Sequence, residues 1–256
     1  MSAAELWAKG NYGEIARQLE PAAQALVEAA TVVADERVLD VGAGDGNLAI
    51  AAARRGAHVV AVDISPQLVA RGRSRTAGLD IDWVEGDALG LPFPDGTFDA
   101  ALSAFGVVYA PEPDRAAAEQ FRVVRGGGVV GLTAWTPESF SGLASEAIAR
   151  HAQIVEGHRP DSWGNEEIAR QRLGTHGEVS TLERRVIRRQ FASVDAWWKH
   201  ADRFAPPLAA LREAVDPHVY ERLHVDLVEL AQHFARPVPE GVELQQEYLL
   251  AIARKP

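Results

Sequence analysis

Short apolar runs alternate with helix-favouring segments along the first half of the chain. Residues 38–41 and 58–63 are nearly continuous apolar stretches of strand length. Between them, residues 48–55 are rich in alanine, which favours a helix. Buried strands that alternate with helices are typical of a parallel sheet covered on both faces.

Further strands and helices continue this alternation. Ser65 and Pro66 supply an N-cap and a first-turn proline for a helix that runs to about residue 77. The turn at residues 94–96, Pro-Asp-Gly, introduces the fourth strand. The predicted strands are residues 38–41, 58–63, 81–88, 98–103 and 129–135, with a helix over residues 114–124 before the last of them.

The first strand ends in a glycine-rich loop, Gly42-Ala43-Gly44-Asp45-Gly46-Asn47. Glycine permits positive φ and lets a ligand approach the backbone, and open α/β sheets bind ligands at this edge. Two kinds of loop compete here: the dinucleotide fingerprint, with glycines at the first, third and sixth positions, and the loop of S-adenosylmethionine (SAM) enzymes. Asn47 stands at the sixth position, so the spacing disfavours a nicotinamide-dependent oxidoreductase.

Acidic residues close the second and third strands. Asp63 follows the apolar run at residues 58–62, where a carboxylate accepts hydrogen bonds from both hydroxyls of a ribose. Asp87 ends the third strand in the same way. Together with the glycine loop, the two acids predict a nucleoside site at the carboxyl edge of the sheet.

Several motifs, in this order and spacing, resemble class I SAM-dependent methyltransferases. They are VLDVGAGDG at residues 38–46, VVAVDIS at 59–65, EGDALGLPFPDGTFD at 85–99, SAFGVVYAPEPDRAAAEQFRVVRGGG at 103–128 and GLTAWTPESF at 131–140. Within that family, the chain most resembles the small-molecule enzymes related to the ubiquinone and menaquinone C-methyltransferases. The resemblance implies an α/β, Rossmann-like doubly wound sheet of seven strands, with the last antiparallel and a helical lid inserted after the fifth.

The resemblance also implies which residues contact SAM and its product, S-adenosylhomocysteine (SAH). The glycine loop would lie against the methionine part, Asp63 would take the ribose hydroxyls, and Asp87 would accept from the adenine amine. The segment at residues 7–12 would close over the cofactor. The implied cofactor-binding residues are Tyr12, Asp40, Gly42, Ala43, Gly44, Asp63, Ile64, Asp87, Ala88, Ser103, Ala104 and Phe105.

The chain departs from the family pattern at three positions. Ala43 and Asp45 stand where cysteine and threonine are frequent, and Gly126 replaces a proline. Backbone atoms carry the contact at residue 43, so that change is nearly neutral, and Gly126 loosens a turn far from the chemistry. Asp45 adds negative charge near the SAM carboxylate, which is harmless if its side chain points to solvent or caps the following helix.

The length of 256 residues favours one domain with an inserted cap over two large domains. The second half becomes helical and histidine-bearing, interrupted by a strand that contains an arginine cluster. We expect a single methyltransferase domain over residues 1–256. Its SAM-binding core would span about residues 30–140, 179–192 and 242–254, and its helical lid about residues 141–178 and 195–235.

Composition excludes several classes of function. The chain has no cysteine, which excludes disulfides, thiolate nucleophiles and cysteine metal sites. Its formal net charge of -10 opposes a nucleic-acid substrate. No apolar run approaches the roughly 20 residues that span a bilayer, and residues 1–9 lack a signal sequence. We expect a cytoplasmic protein, monomeric or homodimeric, with no membrane or nucleic-acid partner.

One basic cluster departs from the acidic balance: Arg184, Arg185, Arg188 and Arg189 lie in a predicted strand. Arginines on the outward face or edge of a sheet are usually solvated. The alternative is recognition of an anionic acceptor.

Histidine is the natural base if the acceptor is a hydroxyl, because its pKa lies near neutrality. The candidates are His158, which leads because it precedes Arg159-Pro160 in a predicted lid loop, then His151 and His200. No spacing typical of metal ligands appears, so we expect no metal. Among the aromatic residues, Phe105, Tyr109 and Trp163 are the candidates for an acceptor pocket, since they follow a strand end or lie in the lid.

These patterns predict a methyltransferase that acts on a small-molecule acceptor, an aromatic or polyketide-like secondary metabolite, by O- or C-methylation. The alternative is a SAM-binding protein of the same fold that transfers no methyl group. It would use SAM as an electrostatic cofactor in a cyclisation, or serve as a binding module. Production of SAH distinguishes the two.

Overall fold

The computed structural model describes residues 2–9, 12–151 and 162–256. In this part of the chain, eight strands form one sheet, numbered in chain order. They are β1 (Arg37–Val41), β2 (His58–Asp63), β3 (Ile81–Glu85), β4 (Phe98–Ala104), β5 (Val124–Trp135), β6 (Glu178–Phe191), β7 (Arg236–Val238) and β8 (Gly241–Arg254).

Ten α-helices and two short 3-10 turns surround the sheet in the described ranges. The 3-10 turns cover Val107–Tyr109 and Ser162–Gly164. The α-helices are α1 (Ala3–Trp7), α2 (Tyr12–Ala29), α3 (Asn47–Ala53), α4 (Pro66–Arg75), α5 (Pro113–Val123), α6 (Phe140–His151), α7 (Glu166–Gly174), α8 (Val194–Phe204), α9 (Pro206–Ala214) and α10 (Pro217–Phe234).

The sheet has the order β3-β2-β1-β4-β5-β8-β6, and β7 pairs with β8. Strands β1 to β5 are parallel to one another, whereas β8 is antiparallel to both β5 and β6. The order reverses between β1 and β4, which is where an open α/β sheet leaves a crevice for a ligand. The predicted Rossmann-like sheet with an antiparallel last strand is confirmed.

The structure adds one strand to the predicted seven. Arg236–Val238 forms a hairpin with the start of β8, and Val238 lies opposite Gly241. Gly241 has φ of 138°, a conformation that side chains rarely adopt. A three-residue strand containing a proline is a weak sequence signal, because proline is depleted in strands.

Alternate residues of each central strand face opposite helical layers, as the two-residue period of a strand requires. Val38 and Val59 pack in one core with α2 and α3. Leu39 and Val60 pack in a second core with α5 and α7. Both cores are built mainly from apolar side chains, so the sheet is held between two helical layers.

A third core lies in the helical cap formed by α6, α8, α9 and α10. It contains Phe140, Trp197, Leu208, Leu223 and Leu227, all nearly inaccessible to solvent. Prolines begin α9 and α10, where their missing N–H costs nothing. The helical stretch predicted for residues 195–235 is therefore three helices.

Helix α7 does not belong to this cap. Its buried residues Ala169 and Leu173, with Trp163 just before it, pack in the same core as Leu39 and Phe98. The expectation that residues 141–178 form one lid is therefore wrong for residues 162–174, which cover the sheet. In the ranges described, no helix combines the length and the apolar character that crossing a bilayer requires.

Candidate cofactor and acceptor site

The loop after β1 adopts the backbone that its glycines permit. Gly42, Gly44 and Gly46 have φ of 68°, 59° and 98°. The N–H groups of Gly42 and Ala43 donate to the Val62 carbonyl at 2.9 and 3.0 Å. Because these donors already have partners in the protein, the loop offers a ligand close backbone approach rather than free N–H groups.

Gly106, in the loop after β4, leaves room for the glycine loop after β1. A Cβ on Gly106 would lie 2.5 Å from the Gly42 carbonyl oxygen, and a Cβ on Gly42 would lie 2.8 Å from the Gly106 Cα. The loops after β1 and β4 therefore touch through their backbones. Gly106 was not among the predicted site residues, although it stands directly after the predicted run at residues 103–105.

Asp63 links the glycine loop to the start of α4. Its Oδ2 accepts from the Gly44 N–H and its Oδ1 from the Ser65 N–H, each at 2.8 Å. The residue is 7% exposed. Burial raises the pKa of Asp63 to about 6, against the lowering effect of these backbone hydrogen bonds. The carboxylate still lines the cavity described below, so it retains capacity to accept from a ligand.

Two predicted cofactor residues support the loops from beneath instead of lining the cavity. Asp40 is buried and its Oδ2 accepts from the Ala49 N–H at 2.9 Å. Burial raises the pKa of Asp40 to about 8. The Ser103 hydroxyl donates to the Val41 carbonyl at 2.6 Å and accepts from the Val107 N–H at 2.8 Å. Both residues fix the backbone that faces the ligand.

A cavity of about 180 Å³ opens at this edge of the sheet. Its lining combines glycines and two carboxylates with apolar and aromatic side chains. Its lining residues are Trp7, Tyr12, Gly42, Gly44, Val62, Asp63, Ile64, Leu68, Gly86, Asp87, Ala88, Phe105, Gly106, Val107, Tyr109, Ala110 and Pro111. Ala43 and Ala104 lie in an adjoining small cleft with Asp40 and Tyr12.

The amino-terminal segment covers the cavity. The Tyr12 ring lies so close to the glycine loop that a Cβ on Gly44 would stand 2.6 Å from its Cε1 atom. The Trp7 ring packs edge-on against Tyr109, with centroids 4.8 Å apart. Lys9 pairs with Glu213 of α9 at 2.5 Å. The segment is thus tied both to the cavity wall and to the helical cap.

Asp87, Ala88 and Ile64 also line the cavity. Asp87 is exposed, and its Oδ1 accepts from the Leu89 N–H at 2.9 Å. Ile64 leaves 38% of its surface exposed, which is unusual for so large an apolar side chain. An apolar platform next to a carboxylate suits the face and the edge of a purine ring.

Phe105 turns sharply out of β4. It has φ of 58°, which only a small share of non-glycine residues adopt and which often marks a functional site. Its ring stacks on Trp135 with centroids 4.1 Å apart and meets Tyr248 edge-on at 5.7 Å. Phe105 therefore belongs both to the cavity lining and to an aromatic layer formed with Trp135 and Tyr248.

Trp163 and two of the candidate histidines do not reach the cavity. Trp163 is fully buried beneath the sheet, so its prediction as a pocket residue is corrected. The Nε2 atom of His151 lies 2.9 Å from Asp226 Oδ2 on α10. The Nε2 atom of His200 lies 2.7 Å from Gln18 Nε2 on α2. His158 lies outside the described residues.

Asp45 neither points to solvent nor caps α3. It is 7% exposed, and its Oδ1 accepts from Arg75 Nη1 at 2.9 Å. The same guanidinium binds Asn47 and Glu20. The charge that this position adds to the loop is therefore neutralised within the protein.

Comparison with known proteins places this fold and site in a family. A model of the methyltransferase domain family matches residues 38–128. The uncharacterized protein Rv1403c of Mycobacterium tuberculosis is 36% identical over 259 aligned residues, which cover 98% of this chain and 93% of that protein. The chain belongs to the class I SAM-dependent methyltransferases. Across the residues that the structure describes, no three histidine, aspartate or glutamate side chains converge to hold a metal ion.

Two further similarities bear on this methyltransferase. The demethylmenaquinone methyltransferase of Clavibacter sepedonicus is 44% identical over 105 residues, 41% of this chain and 43% of that enzyme. The predicted resemblance to quinone-biosynthesis enzymes is confirmed over that region. The [4+2]-cyclase SpnF shares the fold, with a TM-score of 0.61, 24% identity and coverage of 93% of this chain and 80% of that one.

Proposed function

We propose that the protein transfers the methyl group of SAM to a planar aromatic small molecule, at a carbon or at an atom that is already ionised. The observation that carries the proposal is the mixed lining of the cavity. The lining combines a glycine loop with aromatic rings, and among the described lining residues Asp63 and Asp87 are the only charged ones.

The glycine loop and the two carboxylates fit the nucleoside and amino-acid parts of SAM. Asp63 would accept from the ribose hydroxyls, while Asp87 and Ala88 would contact the edge of the adenine with Ile64 against its face. The loop at residues 42–44 would pass close to the methionine part. When bound, SAM supplies a methyl group on a sulfonium, with a neutral thioether as the leaving group.

The aromatic side chains of the lining fit a flat apolar acceptor. Tyr109, Trp7 and Phe105 present ring surfaces, and aromatic rings favour stacked or edge-on contacts with one another. The name of the Clavibacter enzyme states a quinone-type substrate, demethylmenaquinone. Alignment of acceptor and methyl group, with exclusion of water, is what this wall contributes to the reaction.

The protonation states at this wall favour an acceptor that binds already ionised, such as a phenolate. After transfer to its ring carbon, the dienone product loses that carbon's proton to water and becomes aromatic again. Burial raises the pKa of Tyr109 to about 12, so its hydroxyl stays protonated near neutral pH and does not act as the base. Burial also raises the pKa of Tyr12. Among the described lining residues there is no histidine. For a neutral hydroxyl acceptor, His158 stays the predicted base.

Incubation with SAM and matched acceptors tests the proposal. A reduced naphthoquinone and a saturated analogue of the same size would be compared, with SAH release measured and the product analysed by mass spectrometry and NMR. We expect methylation of the aromatic acceptor on carbon. Tyr109→Phe should keep the stacking and most of the activity, whereas Tyr109→Ala should lose at least about tenfold in kcat/KM.

Two outcomes would overturn the proposal. One is SAH release with the saturated analogue only. The other is conversion of an acceptor with no SAH formed, which would favour SAM as an electrostatic cofactor. SpnF, by its name a cyclase, has the same fold and makes that outcome worth measuring.

We also propose that the protein is a cytoplasmic monomer or homodimer that acts in secondary metabolism. In it, the helical cap of α6 and α8–α10 would move over the acceptor. The cap has its own apolar core and is joined to the amino-terminal segment by Lys9 and Glu213. Hydrogen exchange should slow in α6 and in residues 2–9 when SAH binds, beyond any change in β4 and β5. Equal protection with and without SAH would mean that the cap is rigid.

A further inference from the structure

Four arginines lie on β6, and three of them have acidic partners. Arg184 pairs with three glutamates between 2.5 and 3.1 Å away. Arg185 pairs with Glu183 at 2.8 Å, and Arg188 lies 3.8 Å from a carboxylate on β8. For these three, the predicted outward-facing, solvated arrangement accounts for the side chain.

Arg189 is different. Its Nη2 atom is shielded from solvent and has no hydrogen-bond partner in the part of the chain that the structure describes. The guanidinium lies over the Phe191 ring, 4.7 Å from its centroid. Burial lowers the pKa of Arg189 to about 10, so the group remains charged near neutral pH. A shielded, unpaired charge is destabilising unless something binds it.

Polar side chains lie near Arg189, and one of them also has a buried atom without a hydrogen-bond partner. Gln18 of α2 has a buried Oε1 atom with no partner, while its Nε2 meets His200 of α8 at 2.7 Å. The His200 ring lies 6.0 Å from the ring of Phe191. Burial and the charge of Arg189 lower the pKa of His200, which keeps the imidazole neutral. Three elements thus bring together a cation, an amide and an imidazole.

Within residues 2–9, 12–151 and 162–256, no carboxylate forms an ion pair with Arg189. Glu14 acts on His200 through its charge, but it is paired with Arg17 at 2.6 Å on the exposed face of α2. Among the described residues, each ion pair of β6 involves one of the other three arginines. The described part of the chain therefore leaves Arg189 for an anion from outside the protein.

The group lies on the same edge of the sheet as the cavity. Arg185 and Trp135 both stand opposite Tyr248 in the register, from the two sides of β8. Arg189 is four residues farther along β6, about 13 Å beyond that level at roughly 3.3 Å per residue. The aromatic layer of Phe105, Trp135 and Tyr248 lies at the level of Tyr248, so Arg189 is remote from the cavity that Phe105 lines. A ligand that reaches both must be elongated.

We propose that Arg189, with Gln18 and His200, forms an anion subsite that binds a carboxylate on the methyl acceptor, at the end of the molecule remote from the methylated atom. The inference rests on the proposed function, since it names a feature of the same acceptor. A charge-assisted hydrogen bond to a shielded guanidinium is strong enough to select acids over neutral analogues.

Anthraquinone-2-carboxylate and its methyl ester are suitable probes, because they differ only in the anionic group. Binding to the SAH-loaded protein would be measured by calorimetry for the wild type, Arg189→Met and the exposed control Arg188→Met. We expect the acid to bind about ten- to a hundredfold more tightly than the ester in the wild type and in Arg188→Met. That preference should disappear in Arg189→Met.

Thermal unfolding separates this role from a structural one. Arg189→Met removes an unpaired charge, so its Tm without probe should equal or exceed that of the wild type. A lower Tm together with equal weakening of both probes would show that Arg189 is structural. Equal wild-type affinity for acid and ester would also overturn the inference, and would leave a bound water as the partner of Arg189.

These results are distinguishable from failure of the proposed function. If aromatic acceptors are methylated and a carboxylate brings no advantage, the proposed function stands and the subsite is refuted. If the acid binds through Arg189 and no aromatic acceptor is methylated, the subsite stands and the proposed function is refuted.

Discussion

The ionisation of Asp63 should make SAM binding depend on pH between 5 and 7. Its pKa is raised to about 6 because the carboxyl group is buried. Accepting from two ribose hydroxyls requires the ionised form. A group with that pKa is about one tenth ionised at pH 5 and about nine tenths ionised at pH 7, so Kd for SAM should be about tenfold weaker at pH 5.

The same shift affects stability in the opposite direction. The unfolded pKa is 3.8 and the folded pKa is about 6. Between these values the folded state binds more protons, so the free energy of unfolding falls as pH rises from about 4 to 6 and stays lower above. The ionised carboxylate costs about 3 kcal/mol on this basis. Hydroxyl donors from the ligand would recover part of that cost.

Calorimetric titration of SAM at pH 5, 6 and 7 measures the effect directly. Asp63→Asn cannot ionise, so its affinity should be lower at pH 7 but independent of pH. Asp40→Asn is the matched control, because burial raises the pKa of Asp40 to about 8 and places most of its ionisation above this range. Its pH profile should resemble that of the wild type.

A wild-type Kd that varies by less than about twofold between pH 5 and 7 would refute the reasoning. So would the same tenfold slope in Asp63→Asn. The first result would mean that Asp63 is ionised throughout, and the second that another group controls binding.

The remaining predictions concern the loop contact, the amino-terminal segment and one histidine. Gly106→Ala should lower the free energy of unfolding by about 2 kcal/mol or more, because its Cβ would stand 2.5 Å from a carbonyl oxygen; urea unfolding of Gly90→Ala, where space is open, is the control, and equal losses would argue against the close contact. Trp7→Ala should weaken SAM binding about tenfold, whereas Lys9→Met, which breaks a partly exposed ion pair, should change Kd by less than about threefold. Calorimetry compares the two, and the reverse order would mean that the ion pair holds the segment. His151→Gln should leave kcat within about threefold, since its Nε2 contacts Asp226 away from the cavity; a hundredfold loss in a steady-state assay would place it in the chemistry.

The sequence by itself determined the parallel strands and the positions of the predicted cofactor residues. Buried parallel strands are continuous apolar runs, and the residues predicted to face the cofactor follow directly after those runs. Gly42, Gly44, Asp63 and Asp87 could therefore be located from local order alone, and the structure places all four around one cavity. Local signals suffice here because the carboxyl ends of neighbouring parallel strands meet at one edge.

Tertiary packing decided what lies far apart along the chain. Trp163 is an aromatic residue of the kind that lines pockets, but the 3-10 turn at Ser162–Gly164 places it under the sheet. His151 and His200 are drawn to partners on α10 and α2, away from the cavity lining. Arg189 differs from the arginines beside it because no acidic side chain of the described residues pairs with it. Partners, burial and unpaired charge depend on long-range contacts, and a pattern of neighbouring residues does not contain them.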